Sequence, residues 1–251
     1  MPLLIYIGLG VYAYFYADRL IFQPRPSSYR DGPSILKLSA PNGEKISAKY
    51  FPAPDAKYTV LYSHGNAEDI GQSGDLPEAI NQAGFSLLEY DFRGYGTSEG
   101  TSSEQNAYED EETAYNYLVN ELKIPADKII LQGRSLGGAM AIDLASRKPC
   151  AGLIVESCFL TAFRVLTNIS IYPFDKFKNI EKIKHVSCPI LFIHGKQDSV
   201  VPFWHGEKLF AAANEPKYSL WLENADHNNV RASAPNEYIQ AIQAFSAKLS
   251  Q

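Results

Sequence analysis

A serine lies at the centre of the motif GRSLGG at residues 133–138, in which glycine stands two residues before and two residues after it. A strand-like run, Ile129–Gln132, precedes the motif, and a helix-like run follows it. A tight turn between a strand and a helix strains the serine backbone and exposes its hydroxyl, and the glycines remove Cβ atoms that would clash there. Ser135 is therefore the predicted nucleophile.

A serine hydroxyl needs a base that takes its proton and a carboxylate that orients the base. Among the five histidines, His227 follows the last strand-like run, in the motif ADHNN at 225–229. Asp198 follows the preceding strand-like run, in HGKQDSVVP at 194–202. Because neighbouring parallel strands end at the same edge of a sheet, we expect the two loops to meet. Ser135, Asp198 and His227 are the predicted catalytic residues.

Other side chains compete for the roles of acid and base. Glu156 follows an earlier strand-like run and is the alternative acid. Asp226 precedes the base in sequence, and we expect it to point away or to cap the loop. His194 closes a predicted strand, which favours a packing role, whereas His185 and His205 are expected to be solvated or to act as caps.

The loop after the predicted strand Tyr58–Tyr62 is the expected source of one donor to the oxyanion of a tetrahedral intermediate. In this arrangement the second backbone N–H belongs to the residue after the nucleophile. We assign the two donors to Asn66 and Leu136, with Ala67 as the alternative if the turn is displaced by one residue. His64 is expected to brace this loop.

The elements that must position these residues alternate between strand-like and helix-like runs. Asn42-Gly43 lies between two apolar runs and predicts an antiparallel hairpin at the start of the domain. Strands separated by helices require crossover connections, which predicts an α/β fold with a mainly parallel twisted sheet and helices on both faces. The predicted strands lie near 58–62, 85–90, 129–132, 152–155, 189–193 and 218–222, and the predicted helices near 73–83, 103–122, 136–147, 203–213 and 235–249.

Composition limits the remaining classes of function. A chain of 251 residues with 45% hydrophobic residues fits one globular domain and excludes a disordered protein. The net charge of −5 provides no basic surface field, so we expect no nucleic-acid partner. Three cysteines without a CxxC pair exclude a disulfide framework and a cysteine-rich zinc site, and they fit a reducing compartment. We expect no metal and no organic cofactor.

Residues 1–22 form an apolar N-terminal segment with no charge before Asp18. A helix over Met1–Ala17 is about 25 Å long, slightly shorter than a hydrocarbon core of ~30 Å. We expect membrane association through this segment, with a helix packed on the domain surface as the alternative. The positive-inside rule then leaves the catalytic domain in the cytoplasm, and a soluble cytoplasmic protein is the alternative. The basic residues that follow the segment are Arg19, Arg25 and Arg30.

Residues 23–33 are rich in proline and serine, which predicts a linker before a catalytic domain at 34–251. Within that domain, residues 157–186 contain many apolar side chains and no clear strand, which predicts a short helical cap over the active site. Such a cap either receives an acyl chain or covers the edge of the sheet, and both interpretations stay open.

Taken together, these motifs resemble those of serine hydrolases of the α/β-hydrolase superfamily. HGN at 64–66 and YDFRGYGTSEG at 90–100 add to the resemblance, which runs over residues 34–249 and implies the α/β-hydrolase fold. The leader YADRLIFQP at 16–24 is similar to that of a small membrane-tethered subgroup, which includes protein depalmitoylases and uncharacterised bacterial members.

Two segments depart from the pattern of that subgroup. ESCFL at 156–160 stands in place of an ESPFTS-like segment, and Asn229 stands where the subgroup often has aspartate. Both positions concern the rim of the pocket more than the triad. Within DFRGYG, the side chains of Asp91 and Arg93 are expected to form an internal ion pair in a rigid turn.

These observations predict a serine hydrolase that cleaves a carboxylic ester or thioester through an acyl-enzyme intermediate. The apolar cap favours a small-molecule or acylated substrate with an apolar acyl group. A serine peptidase or amidase is the alternative within the enzyme class. A non-catalytic, membrane-tethered binding protein of the same fold is the alternative outside it, and the oligomeric state is left open.

Overall fold

A computed structural model describes residues 2–249; position 1 of the predicted segment 1–22 and positions 250–251 of the predicted domain 34–251 lie outside the described residues. The strands form one eight-stranded sheet in the order β1-β2-β4-β3-β5-β6-β7-β8. They are β1 (Leu36–Ser39), β2 (Lys45–Phe51), β3 (Tyr58–Ser63), β4 (Phe85–Tyr90), β5 (Ile129–Arg134), β6 (Gly152–Glu156), β7 (Ile190–Gly195) and β8 (Lys217–Leu222).

The sheet is antiparallel at its N-terminal edge and parallel elsewhere. β1 pairs with β2 across the turn that contains Asn42 and Gly43, and β2 pairs with β4 in the antiparallel sense. From β4 through β3, β5, β6 and β7 to β8, every neighbouring pair is parallel. The predicted hairpin and the mainly parallel sheet are therefore confirmed, and the carboxyl ends of five strands meet at one edge.

The crossover helices lie near the predicted positions. The predicted helix 103–122 is an α-helix to residue 116 and then a π-helical turn, Tyr117–Glu121. Between β6 and β7, two helices of four or five residues form the short cap. The helices are α1 (Pro2–Ile21), α2 (Leu76–Gln82), α3 (Glu104–Asn116), α4 (Leu136–Ala145), α5 (Ala162–Leu166), α6 (Asn179–Lys182), α7 (Trp204–Ala212), α8 (Val230–Ser233) and α9 (Pro235–Lys248).

Helices cover both faces of the sheet, and successive side chains of a strand point alternately to the two faces. Leu61 and Leu131 belong to one apolar cluster with residues of α3 and α4. Val60 and Ile130, their neighbours in sequence, belong to a second cluster with residues of α2 and α9. Each fully buried aliphatic side chain contributes about 1.5–3 kcal/mol to folding. This double burial explains why the central strands are continuously apolar in sequence.

The helix α1 exposes much of its apolar surface. Leu4 is 74% exposed and Phe15 is 73% exposed, whereas Ala17 is buried. Among residues 2–249, no helix combines the length and the apolar character that crossing a membrane requires. Membrane association and the cytoplasmic location of the catalytic domain stay predictions.

The segment 23–33 has neither helix nor strand, and several of its residues contact the domain. The Ser28 N–H donates to Asp69 Oδ2 at 2.7 Å, and the Tyr29 hydroxyl donates to the carboxylate of Asp91. Asp31 Oδ1 accepts a hydrogen bond from Thr97 Oγ1 at 2.6 Å. These contacts fasten the segment onto the loop at Asp69 and onto the turn at residues 91–100.

The predicted ion pair between Asp91 and Arg93 within DFRGYG is wrong, because Arg93 pairs with other carboxylates. Arg93 is buried and its Nε lies 2.6 Å from Asp110 Oδ1 on α3, while its Nη2 lies 2.8 Å from Glu109 Oε2. Asp91 instead accepts a hydrogen bond from the Ile70 N–H at 2.9 Å. The reason is tertiary, because α3 brings two carboxylates to the guanidinium. The motif nevertheless has a structural role.

Candidate active site

Ser135 lies between the end of β5 and the start of α4. Its φ of +52° and ψ of −115° are a strained conformation for a residue with a side chain, which costs about 1–3 kcal/mol. The Ser135 N–H donates to Glu156 O at 2.8 Å, and Ser135 O accepts from the Gly138 N–H at 3.1 Å. These bonds fix the strained turn and place the hydroxyl at the carboxyl edge of the sheet.

Glycine is required on both sides of this turn. A Cβ at Gly137 would lie 2.0 Å from Ser63 O on β3, and a Cβ at Gly133 would lie 2.2 Å from Gly137 O. Backbone atoms cannot move away from such a contact without displacing a central strand or the helix. The spacing of the sequence motif therefore follows from the close approach of α4 to β3 and β5.

The structure brings the three predicted catalytic side chains together from three loops. His227 Nε2 lies 3.0 Å from Ser135 Oγ, and His227 Nδ1 lies 2.8 Å from Asp198 Oδ2. A proton on Nδ1 that bonds to the carboxylate leaves the lone pair of Nε2 facing the hydroxyl. The imidazole side chain is 7% exposed. This geometry can transfer the proton of a serine hydroxyl to the ring.

The carboxylate of Asp198 is held by its own loop. Asp198 Oδ1 accepts hydrogen bonds from the backbone N–H groups of Val200 at 3.0 Å and Val201 at 2.7 Å. Burial alone would raise the pKa of this carboxyl, but hydrogen bonds from His194 and His227 and from Val201 hold it well below its ordinary value. Asp198 therefore stays ionised at neutral and mildly acidic pH.

His194 has a place in the site that the sequence did not reveal. The sequence favoured packing, and its ring is indeed buried at the end of β7. However, His194 Nε2 also lies 3.3 Å from Asp198 Oδ2 and 2.9 Å from Val201 O. The ring thus bridges the strand end to the loop that carries the carboxylate. The four-residue spacing between His194 and Asp198 is the only sequence signal of this contact.

The loop that carries His227 is fixed at two points. Asp226 Oδ1 accepts hydrogen bonds from the N–H groups of Ser199 and His227, both at 2.7 Å, so Asp226 caps the loop as expected. Arg134 Nη2 donates to His227 O at 3.0 Å and to Asn228 Oδ1 at 2.9 Å. Arg134, the residue before the serine of the motif, therefore connects the turn at Ser135 to the loop that carries His227.

The competing residues are used elsewhere. Glu156 Oε2 accepts a hydrogen bond from the Tyr238 hydroxyl at 2.7 Å, which leaves Asp198 as the carboxylate on the imidazole. His185 is exposed, in agreement with the expectation. The solvated interpretation of His205 is wrong, because its ring is buried on α7 and Nδ1 accepts a hydrogen bond from the Leu160 N–H at 3.1 Å. Burial lowers the pKa of His205 to about 4.

The loop after β3 presents a free backbone donor at the predicted position. The Ala67 N–H is bonded to Asn66 Oδ1 at 3.0 Å, which leaves the Asn66 N–H as the donor of this turn. Within residues 2–249 neither the Asn66 N–H nor the Leu136 N–H has an acceptor. His64 is buried with Nδ1 2.8 Å from Gly65 O, as a bracing residue should be.

The side chain of Asn66 fastens the loop to the end of α1. Asn66 Nδ2 donates to Ile21 O at 2.6 Å, and Asn66 Oδ1 accepts from the Gln23 N–H at 3.0 Å. The Tyr95 hydroxyl donates to the same oxygen at 2.5 Å. The N-terminal helix is thus connected to the loop that carries one of the two free N–H groups.

Parts of this chain match known protein families, and most of it is similar to known proteins. Family models described as serine aminopeptidase, S33, and prolyl oligopeptidase family match residues 54–178 and 164–251. Alpha/beta hydrolase domain-containing protein 17B of Homo sapiens is 34% identical over 223 residues, which are 87% of this chain and 77% of that protein. The protein of that name from Xenopus laevis is 34% identical over 226 residues, which are 88% and 78%. This chain belongs to their family of α/β-hydrolases.

A solved structure of low sequence identity has the same fold as the hydrolase. An esterase of Pyrococcus furiosus superposes with a TM-score of 0.76 over 90% of this chain and 98% of that chain, at 17% sequence identity. The predicted α/β-hydrolase fold and the predicted membership of the superfamily are therefore confirmed.

The hydrolase has a cleft of about 510 Å³ in front of Ser135. Its walls come from the loop after β3, the end of α1, the cap and the loop that carries His227. Among the described residues that line the cleft, Glu68 is the one carboxylate, and it is ion-paired with Arg134. The apolar lining residues include Leu20, Ile21, Phe159, Ala162, Val165, Leu166, Val200 and Val201.

Proposed function

We propose that the hydrolase cleaves a carboxylic ester or thioester through an acyl-enzyme intermediate on Ser135. The observation that carries this proposal is the continuous hydrogen-bonded series from Ser135 Oγ through His227 to Asp198, at 3.0 and 2.8 Å. A binding protein has no use for a strained serine aligned with a base and an oriented carboxylate.

The reaction begins when Ser135 Oγ attacks the carbonyl carbon and His227 Nε2 takes the hydroxyl proton. The C–O or C–S bond to the leaving group then breaks, and His227 returns the proton to the departing oxygen or sulfur. Water, deprotonated by the same imidazole, cleaves the acyl-enzyme and restores Ser135. Asp198 holds the ring and stabilises its charge in both halves of the reaction, and no metal or organic cofactor takes part.

The backbone N–H groups of Asn66 and Leu136 are the proposed donors to the oxyanion. Both lack an acceptor within residues 2–249, and the Leu136 N–H lies in the first turn of α4, where the helix dipole also favours negative charge. Because fixed donors need no reorganisation during the reaction, such a pair lowers the activation free energy by several kcal/mol.

The cleft favours an ester or thioester over a peptide. An aminopeptidase needs a free carboxylate for the α-ammonium group of its substrate, and Glu68 is already engaged by Arg134. The names of the matching family models keep a peptidase as the second candidate. Hydrolysis of aminoacyl anilides faster than that of simple acyl esters would favour this candidate.

Partitioning of the intermediate tests the proposal. Two esters and one thioester of butyric acid are hydrolysed in the presence of hydroxylamine, and butyrate and butyryl hydroxamate are measured. A common acyl-enzyme requires one ratio of the two products for all three leaving groups. Different ratios would contradict the intermediate, and no turnover of any of them would contradict the proposed reaction.

The pH dependence follows from the state of Asp198. Because the pKa of Asp198 lies below its ordinary value, this carboxylate stays ionised between about pH 8 and about pH 5 and adds no step of its own to the pH profile. A general base must be unprotonated to accept the serine proton, so activity is lost as the pH falls. We expect kcat/KM for p-nitrophenyl butyrate to fall by about tenfold per pH unit on the acidic limb. A fall of a hundredfold per unit, or no fall, would contradict control by one imidazole.

A further inference from the structure

A second cavity opens between α1 and the cap, beside the cleft in front of Ser135. Its volume is about 250 Å³. Four apolar residues line both this cavity and the cleft, so the two spaces are adjacent: Leu20, Ile21, Ala162 and Leu166. We call this cavity the α1–cap groove. On the side of the helix it runs along α1 from Ile21 to Ala13.

The walls of the α1–cap groove are mainly apolar, and three of its four polar side chains, those of Thr167, Tyr172 and Asp175, are hydrogen-bonded to neighbouring residues. Asp175 accepts hydrogen bonds from Thr161 Oγ1 at 2.6 Å and from the Phe163 N–H at 2.9 Å. Thr167 Oγ1 donates to Ile169 O at 2.8 Å, and the Tyr172 hydroxyl donates to Tyr6 O at 3.1 Å. The remaining wall is mainly hydrocarbon: Ala13, Ala17, Leu20, Ile21, Ala162, Phe163, Leu166, Ile171 and Phe174.

Small side chains on one face of α1 keep the groove open. Gly10, Ala13 and Ala17 follow the three- and four-residue spacing of a single helix face. At Gly10 the helix contacts the cap directly, because a Cβ there would lie 2.8 Å from Tyr172 Cε1. Ala13 and Ala17 line the space that remains beyond this contact.

Polar contacts fix α1 in this position on the cap. The Tyr6 ring stacks on Tyr172 with 4.9 Å between centroids, and its hydroxyl donates to Ile171 O at 2.8 Å. At the other end of the helix, Lys176 Nζ lies 3.1 Å from Asp18 Oδ1. The helix is therefore a wall of a built cavity, attached at both ends.

We propose that the α1–cap groove binds the acyl chain of the substrate, while the carbonyl carbon lies at Ser135. The inference rests on the proposed function. The position next to the cleft selects the acyl chain as the occupant, because the four side chains shared by the two spaces are apolar and a chain that leaves the reacting carbonyl meets no polar group of the described residues between them. The substrate class is then an ester or thioester of a linear acid longer than butyrate.

Ala13→Phe tests this site because it places an aromatic ring in the groove. The measured quantity is the ratio of kcat/KM for p-nitrophenyl octanoate to that for p-nitrophenyl butyrate, below the concentrations at which micelles form. We expect Ala13→Phe to lower the ratio by about tenfold or more, which corresponds to the loss of two buried methylene groups. Val11→Phe is the matched control, since Val11 is 52% exposed on the same helix and does not line the groove.

A second measurement does not depend on the deacylation step. Alkyl fluorophosphonates with butyl and octyl chains inactivate a nucleophilic serine, and the ratio of their rate constants should fall in Ala13→Phe as the ester ratio does. Circular dichroism spectra and melting temperatures of Ala13→Phe, Val11→Phe and the wild type show whether each variant is folded.

Three outcomes separate the proposals. Equal octanoate-to-butyrate ratios in the wild type, Ala13→Phe and Val11→Phe would overturn the groove and leave the proposed function intact. If Ala13→Phe loses butyrate turnover as well, an unchanged ratio of the two fluorophosphonate rate constants would likewise overturn it. No hydrolysis of either ester by the wild type would overturn the proposed function and the groove with it.

Discussion

The Ser135→Ala variant is expected to hydrolyse p-nitrophenyl butyrate with a kcat about 10⁴- to 10⁶-fold lower than that of the wild type. Alanine removes the oxygen that lies 3.0 Å from His227 Nε2, so the imidazole has no nucleophile to deprotonate. The donors of Asn66 and Leu136 remain and account for the residual rate. Initial-rate kinetics at saturating ester measure this loss.

Ser187→Ala is the matched control for that substitution. Ser187 is exposed in the loop before β7, at the edge of the sheet opposite the active site. We expect its kcat to stay within about twofold of the wild type. Circular dichroism of both variants checks that the fold is kept. A loss below about tenfold in Ser135→Ala would show that another group performs the reaction.

The Asp198→Asn variant is expected to lower kcat by about 10³- to 10⁴-fold at pH 7, with a much smaller change in KM. An amide in place of the carboxylate can donate a hydrogen bond to His227 Nδ1, which moves the ring proton to Nε2. The nitrogen that faces Ser135 Oγ then no longer accepts the hydroxyl proton. The charge that stabilises the imidazolium is lost as well.

Glu223→Gln is the control for Asp198→Asn, because it removes a negative charge from an exposed side chain after β8. Glu223 pairs with Lys196 at the surface, and such a pair contributes little to stability. We expect wild-type kinetics. If Asp198→Asn retained more than about a tenth of the wild-type kcat, the carboxylate would not orient the base.

Local sequence signals predict the elements of this fold because local chemistry determines them. Asn42 and Gly43 lie in the expected turn. The central strands are continuously apolar in sequence because both of their faces are buried. β5 extends two residues beyond its predicted end, to Arg134. The extension comes from the ladder with β6, where Arg134 pairs with Glu156. The strand propensities of glycine and arginine do not predict it.

The positions that the sequence did not predict depend on the packing of separate elements or on the path of a loop after its strand. Arg93 meets Asp110 because α3 lies beneath the turn, and His205 is buried because α7 packs against the cap. His194 contacts Asp198 only through the direction in which the chain leaves β7. The triad itself was accessible to sequence reasoning because each member follows a strand whose end must lie at one edge.

The N-terminal helix illustrates the same limit. Its apolar sequence predicts a membrane segment and gives no sign of its contacts with the cap. In the structure the Gly10 face lies against Tyr172, and the end of the helix is hydrogen-bonded to Asn66. The structural role of a helix face of small residues can be assigned only when the surface that packs against it is known.

Mass-spectrometric mapping of a fluorophosphonate adduct is the most direct test of Ser135 as the activated nucleophile. The wild type is incubated with the probe at pH 8 and at pH 5, digested, and the modified residue is located by fragmentation. We expect one adduct on Ser135 oxygen, formed much faster at pH 8, and none in Ser135→Ala. An adduct on another residue, or an unmodified wild type that is folded, would contradict the account.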